Sequence, residues 1–409
     1  MEDKALYEQI LGLSTPWTVA SVKLDVELEQ IDVHVVHPSN TKFCCPKCER
    51  ELSCYDHAPE RTWRHLDSCQ FKTLLRASVP RVHCPEHGVR QVKVPWAEKS
   101  CRFTLMFERF AIDVLLACQT VKGANRLLRI SWDQTWHLLS RAVKRGQARK
   151  VQQVMPRIGI DEKAFRKGHS YMTLLFDLDK STVEAIADGN DTEAGIACFS
   201  QLSTAQIDGV EAVAMDMSAS YVKAAKATIP LAEEKIVHDR FHVMQLANKA
   251  VDKVRRSEHR ELSGKGDDRL KKTKYLWLKG QEKLTEDQQA KMDRVFTRQL
   301  ETGKAWAYKE TLRDLWIHGT PQDAITFFKD WYRRVIHTKL EPMKKVARTL
   351  KARLPNVVNY CKHPITNAVA EGINSKIMSI KRRVGGYRNP ENFKTAIYFY
   401  CGGLDLYPQ

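Results

Sequence analysis

Residues 157–188 read RIGIDEKAFRKGHSYMTLLFDLDKSTVEAIAD and contain three apolar segments separated by short polar turns. Runs of this length and composition predict β-strands at 157–161, 171–177 and 182–188, with turns at 166–170 and 179–181. Because the connections are so short, the three strands are predicted to form an antiparallel meander.

Downstream of the meander the pattern alternates between helix and strand. It predicts, in order, a helix, a fourth strand, a second helix and a fifth strand, at about 192–202, 210–216, 221–228 and 235–238. An antiparallel meander followed by this alternation predicts the α/β arrangement of ribonuclease-H-like folds. The stretch from about 243 to 355 is predicted to be almost entirely helical and is rich in Lys and Arg. We interpret it as a helical insertion into the core.

Two carboxylates stand at strand ends in this pattern. Asp161 ends the first predicted strand and Asp216 ends the fourth. Functional groups collect at the carboxyl ends of strands in α/β sheets, and these two strands are neighbours in a ribonuclease-H topology. Two acids so close repel each other unless divalent cations lie between them. Alternatively, Asp216 could be the N-cap of the helix that follows it.

A third acid is needed to hold a pair of Mg²⁺ ions about 3.5–4 Å apart. Glu371 is the candidate, because Asn367, Glu371 and Asn374 fall at i, i+4 and i+7 on one face of a predicted helix. The rest of that face is small and apolar, whereas a solvated face would mix Lys and Glu.

Cysteines and histidines crowd into residues 44–87. Cys45 and Cys48 form one pair of ligands three residues apart, and Cys84 and His87 form another, so four ligands can surround a tetrahedral Zn²⁺. Alternatives for the fourth ligand are Cys44, His83 and Cys54. We expect the remaining cysteines to be core residues: Cys69, Cys101, Cys118, Cys198, Cys361 and Cys401.

Residues 103–150 show helical spacing of apolar residues. Ser131 resembles an N-cap that opens a helix directly after another short helix, which favours a helix-turn-helix over an ordinary helical linker. On that helix, Trp132, Gln134 and His137 are candidates for DNA contact.

The charge of the chain favours a polyanionic partner. Lys and Arg number 66 against 49 Asp and Glu, which leaves a formal charge of +17. Nucleic acid is the first candidate, because neutralising phosphates releases counterions. No apolar run is long enough to span a membrane. The first residues do not resemble a signal peptide, and cysteine usage fits a reducing compartment, so we expect a cytoplasmic protein.

Four blocks of the sequence resemble the ISL3 family of bacterial insertion-sequence transposases: 159–163, 214–217, 238–242 and 367–376. The resemblance extends to the cysteine module, the helix-turn-helix and the basic tail at 381–387. It implies a DDE transposase that cuts element ends and joins them to target DNA with Mg²⁺ or Mn²⁺, with Asp161, Asp216 and Glu371 as the triad. Many family members carry cysteine where this chain has His87.

The resemblance also places Asp239 and His242 beside the active site, as supporting groups or as a buried structural pair. For phosphate contact we expect the basic residues Lys381, Arg382, Arg383 and Arg388. The chain then divides into a zinc module, a helix-turn-helix domain, a first core segment, the insertion, and a catalytic helix with its tail, at 1–100, 101–152, 153–245, 246–355 and 356–409.

The reaction is expected to be metal-dependent hydrolysis followed by strand transfer, on double-stranded DNA carrying terminal inverted repeats and on target DNA, by a homodimer or higher oligomer. The competing interpretations are a DNA-binding regulator without catalysis and a simple nuclease.

Overall fold

The computed structural model describes residues 3–166, 170–296 and 300–409. The chain divides into two units. The first comprises Met1–Lys150, Ile380–Tyr400 and Leu404–Gln409, and the second comprises Val151–Ser379 and Cys401–Gly403.

The first unit begins with a short helix and two four-stranded sheets. Their order is β1-β2-β6-β5 in one sheet and β3-β4-β7-β8 in the other. The elements are α1 (Asp3–Ile10), β1 (Thr18–Asp25), β2 (Gln30–Val36), β3 (Lys42–Cys44), β4 (Glu51–His57), β5 (Arg61–Arg64), β6 (Lys72–Ala77), β7 (Pro80–Cys84) and β8 (Gly88–Gln91). Val33, Trp63 and Leu75 are completely buried between them. The predicted zinc ligands Cys45 and Cys84 pack in this same buried core.

Helices complete the first unit. They are α2 (Leu105–Cys118), α3 (Val121–Leu128) and α4 (Trp132–Arg149), and the C-terminal helix is α17 (Pro390–Cys401). Ser131 caps α4 as predicted, and Gln134 completes a capping box with it. Arg129, at φ 54°, makes the sharp turn between α3 and α4. The Thr135 hydroxyl donates a 2.7 Å hydrogen bond to Asn125 Oδ1 and so ties the two helices together.

The second unit is built on a five-stranded sheet in the order β11-β10-β9-β12-β13. Its strands are β9 (Arg157–Arg166), β10 (Ser170–Asp177), β11 (Thr182–Asp188), β12 (Ala212–Met215) and β13 (Ile236–His238). The predicted meander is present, since β9, β10 and β11 pair antiparallel, while β12 pairs in parallel with both β9 and β13. Residues 167–169 of the predicted first turn lie outside the described residues.

Asp161 does not end the first strand, and this prediction was wrong. β9 continues to Arg166, because its antiparallel pairing with β10 extends to that residue, whereas its pairing with β12 covers only 157–159. The helix predicted at 192–202 is also shorter, and ends at Phe199. The helices of this sheet region are α5 (Thr192–Phe199), α6 (Thr204–Asp208), α7 (Ala219–Thr228) and α8 (Ala232–Lys235).

The stretch predicted as a helical insertion is helical in the described residues. It comprises α9 (Arg240–Ser263), α10 (Lys274–Leu278), α11 (Glu286–Val295), α12 (Glu301–Leu312), α13 (Pro321–Ile336), α14 (Glu341–Lys351) and α15 (Leu354–Val358). Its core is separate from that of the sheet and includes the buried Trp277, Phe328 and Trp331. The chain then enters α16 (Ala368–Arg383), the helix predicted to carry the third acid.

None of the helices in the described parts of the chain combines the length and hydropathy that crossing a membrane requires.

Candidate functional site

Asp161 lies in β9 of the second unit, and Asp216 is the first residue after the neighbouring strand β12. β12 pairs with β9 in parallel, with Ala214 opposite Gly159. Each acid lies two residues beyond that last pair, on the same side along both strands. Burial raises the pKa of Asp161, and the charge of Asp216 raises it further, against the lowering effect of the Glu162 amide. The charges of the two carboxylates therefore act on each other.

Hydrogen bonds fix both carboxylates. The Glu162 amide donates to Asp161 Oδ1 at 2.8 Å, and Asn374 Nδ2 donates to Asp161 Oδ2 at 2.7 Å. The Ser218 amide donates to Asp216 Oδ1 at 2.8 Å. Asp216 is not the N-cap of α7, because that position belongs to Ser218. Each oxygen of Asp161 accepts one hydrogen bond and keeps capacity for a further partner.

Glu371 lies exposed in the first turn of α16, three residues before Asn374. Helix positions three apart have Cβ atoms about 5–6 Å from each other. The Asn374–Asp161 contact therefore brings this turn of α16 next to the Asp pair. Within the described chain, however, the oxygens of Asp161, Asp216 and Glu371 do not form a ligand group whose atoms all lie within 4.8 Å.

Glu162 is a further acid at this position that the sequence analysis did not single out. It is half-buried, and burial together with the charges of Asp216 and Asp161 raises its pKa. An Asn190 side chain hydrogen-bonds to it and acts in the opposite direction. Acids that raise one another's pKa in this way are stabilised by a hard divalent cation, for which carboxylate oxygens are the preferred ligands. The donor set therefore fits Mg²⁺ or Mn²⁺.

Asp239 and His242 lie at the start of α9. Asp239 is the N-cap, and its Oδ1 accepts from the Phe241 amide at 2.6 Å while its Oδ2 accepts from the Asn367 amide at 2.7 Å. The nearby His242 lowers the pKa of Asp161 electrostatically. Asp239 is thus a buried structural acid that binds the residue just before α16, the helix that carries Glu371. His242 lies near Asp161.

The four predicted zinc ligands converge in the first unit. The turn between β3 and β4 carries Cys45 and Cys48, while Cys84 ends β7 and His87 lies in the turn that leads to β8. Cys48 Sγ is 3.7 Å from Cys84 Sγ, and His87 Nδ1 is 3.5 Å from Cys84 Sγ and 3.8 Å from Cys45 Sγ. Tetrahedral Zn²⁺ with bonds of about 2.3 Å to sulfur and 2.05 Å to nitrogen requires edges of about 3.8 and 3.6 Å. The cluster therefore has the dimensions of a zinc site.

The alternative fourth ligands lie elsewhere. Cys44 and His83 are exposed, and Cys54 belongs to a different group with His37 and His57. Backbone amides around Cys45 lower the pKa of its thiol to about 6, which favours the thiolate that zinc requires. The prediction of Cys69 as a core cysteine was wrong: it is exposed in a turn with φ 50°.

Trp132, Gln134 and His137 are all exposed at the start of α4, as a DNA-contacting helix requires. Gln134 also has a structural role in the capping box of α4, since its Oε1 accepts a 2.9 Å hydrogen bond from the Ser131 amide. Further along α4, Arg145 is buried and paired with Glu98 and Glu108. Arg145 therefore joins α4 to two other parts of the first unit through its ion pairs.

The basic tail starts in the last turn of α16. Arg382, Arg383 and Arg388 are exposed, whereas Lys381 is half-buried with its Nζ 5.9 Å from the Phe393 ring, and burial lowers its pKa. Tyr387 packs edge-on against Trp136 of α4 at 6.3 Å. The tail and the helix-turn-helix therefore belong to one unit.

Comparison with known proteins gives three matches to family models. Residues 158–397, more than half of the chain, match the ISL3 model of the DDE type, described as a transposase. Residues 41–87 match the zinc-finger of transposases IS204/IS1001/IS1096/IS1165, and residues 92–143 match the helix-turn-helix domain of transposase family ISL3.

Two kinds of curated relative are similar over most of their length. The transposase for insertion sequence element IS1001 of Bordetella parapertussis is 27% identical over 361 residues, covering 87% of this chain and 88% of the relative. The transposase for insertion sequence element IS1557 of Mycobacterium tuberculosis is 27% identical over 430 residues, covering 96% and 94%. The matched regions follow one another along the chain as zinc-finger, helix-turn-helix and transposase. They correspond in that order to the strands that carry the cysteine cluster, to the helices α2–α4 and to the second unit.

Proposed function

The chain belongs to the ISL3 family of insertion-sequence transposases, and from that premise we propose that it cuts its element's ends by metal-dependent hydrolysis and joins the freed 3′-hydroxyls to target DNA. The observation that carries this proposal is the pair of acids at neighbouring strands. Asp161 lies in β9, Asp216 directly follows the parallel neighbour β12, and α16 contributes Asn374 directly to Asp161.

The sheet is proposed to be a ribonuclease-H-like core interrupted by the α9–α15 insertion. Its order, β11-β10-β9-β12-β13, supports this assignment, with an antiparallel half followed by a parallel half. In such a sheet the central strand, here β9, and its parallel neighbour, here β12, bring two acidic side chains to one place. The third acidic side chain comes from a helix near the end of the chain, here α16.

Asp161, Asp216 and Glu371 would hold two Mg²⁺ or Mn²⁺ ions. When bound, these ions supply the positive charge that activates an attacking water or hydroxyl and stabilises the leaving oxygen. The protein's own contribution is orientation. Asn374 and the Glu162 amide fix Asp161, and the Ser218 amide fixes Asp216. No protein nucleophile is required, because water and then the DNA 3′-hydroxyl attack the phosphodiester.

Recognition is proposed to be divided between two surfaces of the first unit. The exposed start of α4, with Trp132 and His137, presents the polar and aromatic groups that base readout needs. Arg382 and Arg383 present only charge, which suits phosphates. Because two ends must be cut and joined, the active form is proposed to be a homodimer or a higher oligomer on DNA.

The test is cleavage of a duplex bearing the element's terminal repeats. Asp161→Asn, Asp216→Asn and Glu371→Gln should each abolish Mg²⁺-dependent cleavage while end binding stays within about twofold, because each removes a metal-binding charge with little change in shape. Ser375→Ala, at an exposed position of the same helix, is the control. Cleavage by one of the three variants at the wild-type rate would remove that residue from the site.

Wild-type protein that binds ends and shows no cation-dependent nicking would instead identify a DNA-binding regulator. Cleavage without joining of the cut end to a second duplex would identify a simple nuclease.

A further inference from the structure

A second group of metal-binding side chains lies in the first unit and shares no residue with the Cys45 cluster. His37, Cys54 and His57 each offer one ligand atom, and these three atoms all lie within 4.8 Å of one another. The two Nε2 atoms are 2.9 Å apart, and Cys54 Sγ is 3.9 Å from His57 Nε2. We propose that these three side chains form a second site for a borderline divalent transition metal ion of the zinc class.

The hydrogen bond of His37 to the backbone leaves its Nε2 atom free of a proton and able to bind a metal ion. Its Nδ1 lies 2.9 Å from the Pro38 carbonyl oxygen, which can only accept a hydrogen bond. Nδ1 therefore carries the proton, and the Nε2 lone pair faces His57 and Cys54. Histidine ligands in metal sites are usually held in this way, with the non-ligating nitrogen donating to a backbone carbonyl or a carboxylate. Trp17 and Phe43 pack edge-on against the ring at 5.6 and 4.9 Å and restrict its rotation.

An irregularity in β4 brings the other two ligands together. Residues three apart on a regular strand point to opposite faces. The pairing of β4 with β7 shifts register between Cys54 and Asp56, and such a bulge re-aims the side chains around it. Cys54 and His57 consequently approach to 3.9 Å instead of facing apart.

The separations are close to those that one ion requires. With metal–nitrogen bonds of about 2.05 Å, two imidazole nitrogens are about 2.9 Å apart at a right angle and about 3.4 Å apart in a tetrahedron. A sulfur and a nitrogen on tetrahedral zinc are about 3.6 Å apart. The 2.9 Å contact is also explained by a hydrogen bond from His57 Nε2–H to His37 Nε2, which is the competing explanation. The Cys54 thiol has a partner of its own in that case, since its Sγ lies 3.4 Å from the Asp56 carbonyl oxygen, and binding a metal ion would require it to lose its proton.

The site would join the two sheets of the first unit. His37 follows β2 of one sheet, while Cys54 and His57 belong to β4 of the other. With three protein ligands, the fourth position is left to water, and His57 is exposed. We therefore expect weaker binding here than at the four-ligand site.

The experiment counts metal in the full chain. Wild-type protein purified with Zn²⁺ and then dialysed against excess Mg²⁺, which displaces Zn²⁺ from the carboxylates, should hold about two zinc ions per chain, and Cys54→Ser and His57→Asn should each hold about one. The control is His83→Ala, an exposed histidine on the adjacent β7, which should keep about two. The retained ion in Cys54→Ser also reports that the first unit is folded. About one ion in wild-type protein, unchanged in Cys54→Ser, would leave the histidine pair as a hydrogen bond only and overturn the proposal.

A Co²⁺ titration of the metal-free wild-type chain decides the matter if the variants fail to fold. A second, weaker equivalent with a thiolate charge-transfer band smaller than that of the first supports the site. Saturation after one equivalent refutes it.

Discussion

Asn374→Ala is the substitution that tests most directly how the carboxylate pair is held. Asn374 is buried, and its Nδ2 donates to Asp161 Oδ2 at 2.7 Å. Its Oδ1 has no hydrogen-bond partner within the described chain, so alanine removes one bond and strands no other group. Alanine also has the higher helix propensity, by about 0.5 kcal/mol, which helps to keep α16 intact.

The magnitude follows from the kind of bond that is lost. A hydrogen bond to a charged group contributes about 1.5–3 kcal/mol. We take the lower end, because Asp161 Oδ1 retains the Glu162 amide. About 1.4 kcal/mol corresponds to tenfold, so the Mg²⁺ concentration for half-maximal cleavage should rise about tenfold. Losses of about 10- to 100-fold are typical when a group that orients a metal ligand is removed.

The effect should depend on pH. Burial already raises the pKa of Asp161, and loss of the Asn374 donor raises it further, so protons compete with the cation over a wider range. The deficit should therefore be larger in acid and smaller as pH rises. Cleavage of end-bearing duplex is measured against Mg²⁺ at several pH values, with Ser375→Ala as the control. An unchanged half-saturation point for Asn374→Ala, or an equal rise in the control, would refute the reasoning.

Three further outcomes are expected. Cys48→Ser should release the zinc ion expected at the Cys45 cluster, because it removes one of the four ligands. Metal analysis showing that this ion is retained would contradict the ligand set. Replacing Arg382 and Arg383 by alanine should weaken binding to end and scrambled duplexes alike and reduce the salt slope by about two; a loss confined to end duplexes would contradict this. Gln134→Ala should reduce the preference for ends, and should also lower stability by about 1 kcal/mol by breaking the capping box, as thermal melting would show.

Local pattern was sufficient for most of the second unit's sheet. The strand predicted at 182–188 has those bounds in the structure, because its alternation and flanking turns are local features. The extension of β9 beyond Asp161 was missed, because residues 161–163 are charged and are held in the strand by β10 instead of by their own propensity. β1 and β2 were also missed, although the alternation of Ile31, Val33 and Val35 could have revealed the second of them.

In the candidate sites, too, the features that depend on local sequence were predicted and those that depend on distant contacts were not. The four cysteine and histidine residues of the first group were identifiable because each pair has its members three residues apart, at or next to a turn. His37 was not identifiable as a partner of Cys54, since that contact depends on a β-bulge and on the approach of two sheets. The support of Asp161 by Asn374 likewise joins residues far apart in the sequence, although both lie at positions the sequence analysis had named.

The position of the third acid depends on how the chain returns to the sheet after the helical stretch. Asp239 follows β13 directly, and its two oxygens bind the start of α9 and the Asn367 amide at the start of α16. One buried carboxylate thus holds both the exit and the re-entry of the intervening chain. The helices between these two points pack around a core of their own, so the hydrogen bonds of Asp239 fix where that segment begins and where it ends. Glu371 lies one turn after Asn367, whose amide the same carboxylate binds.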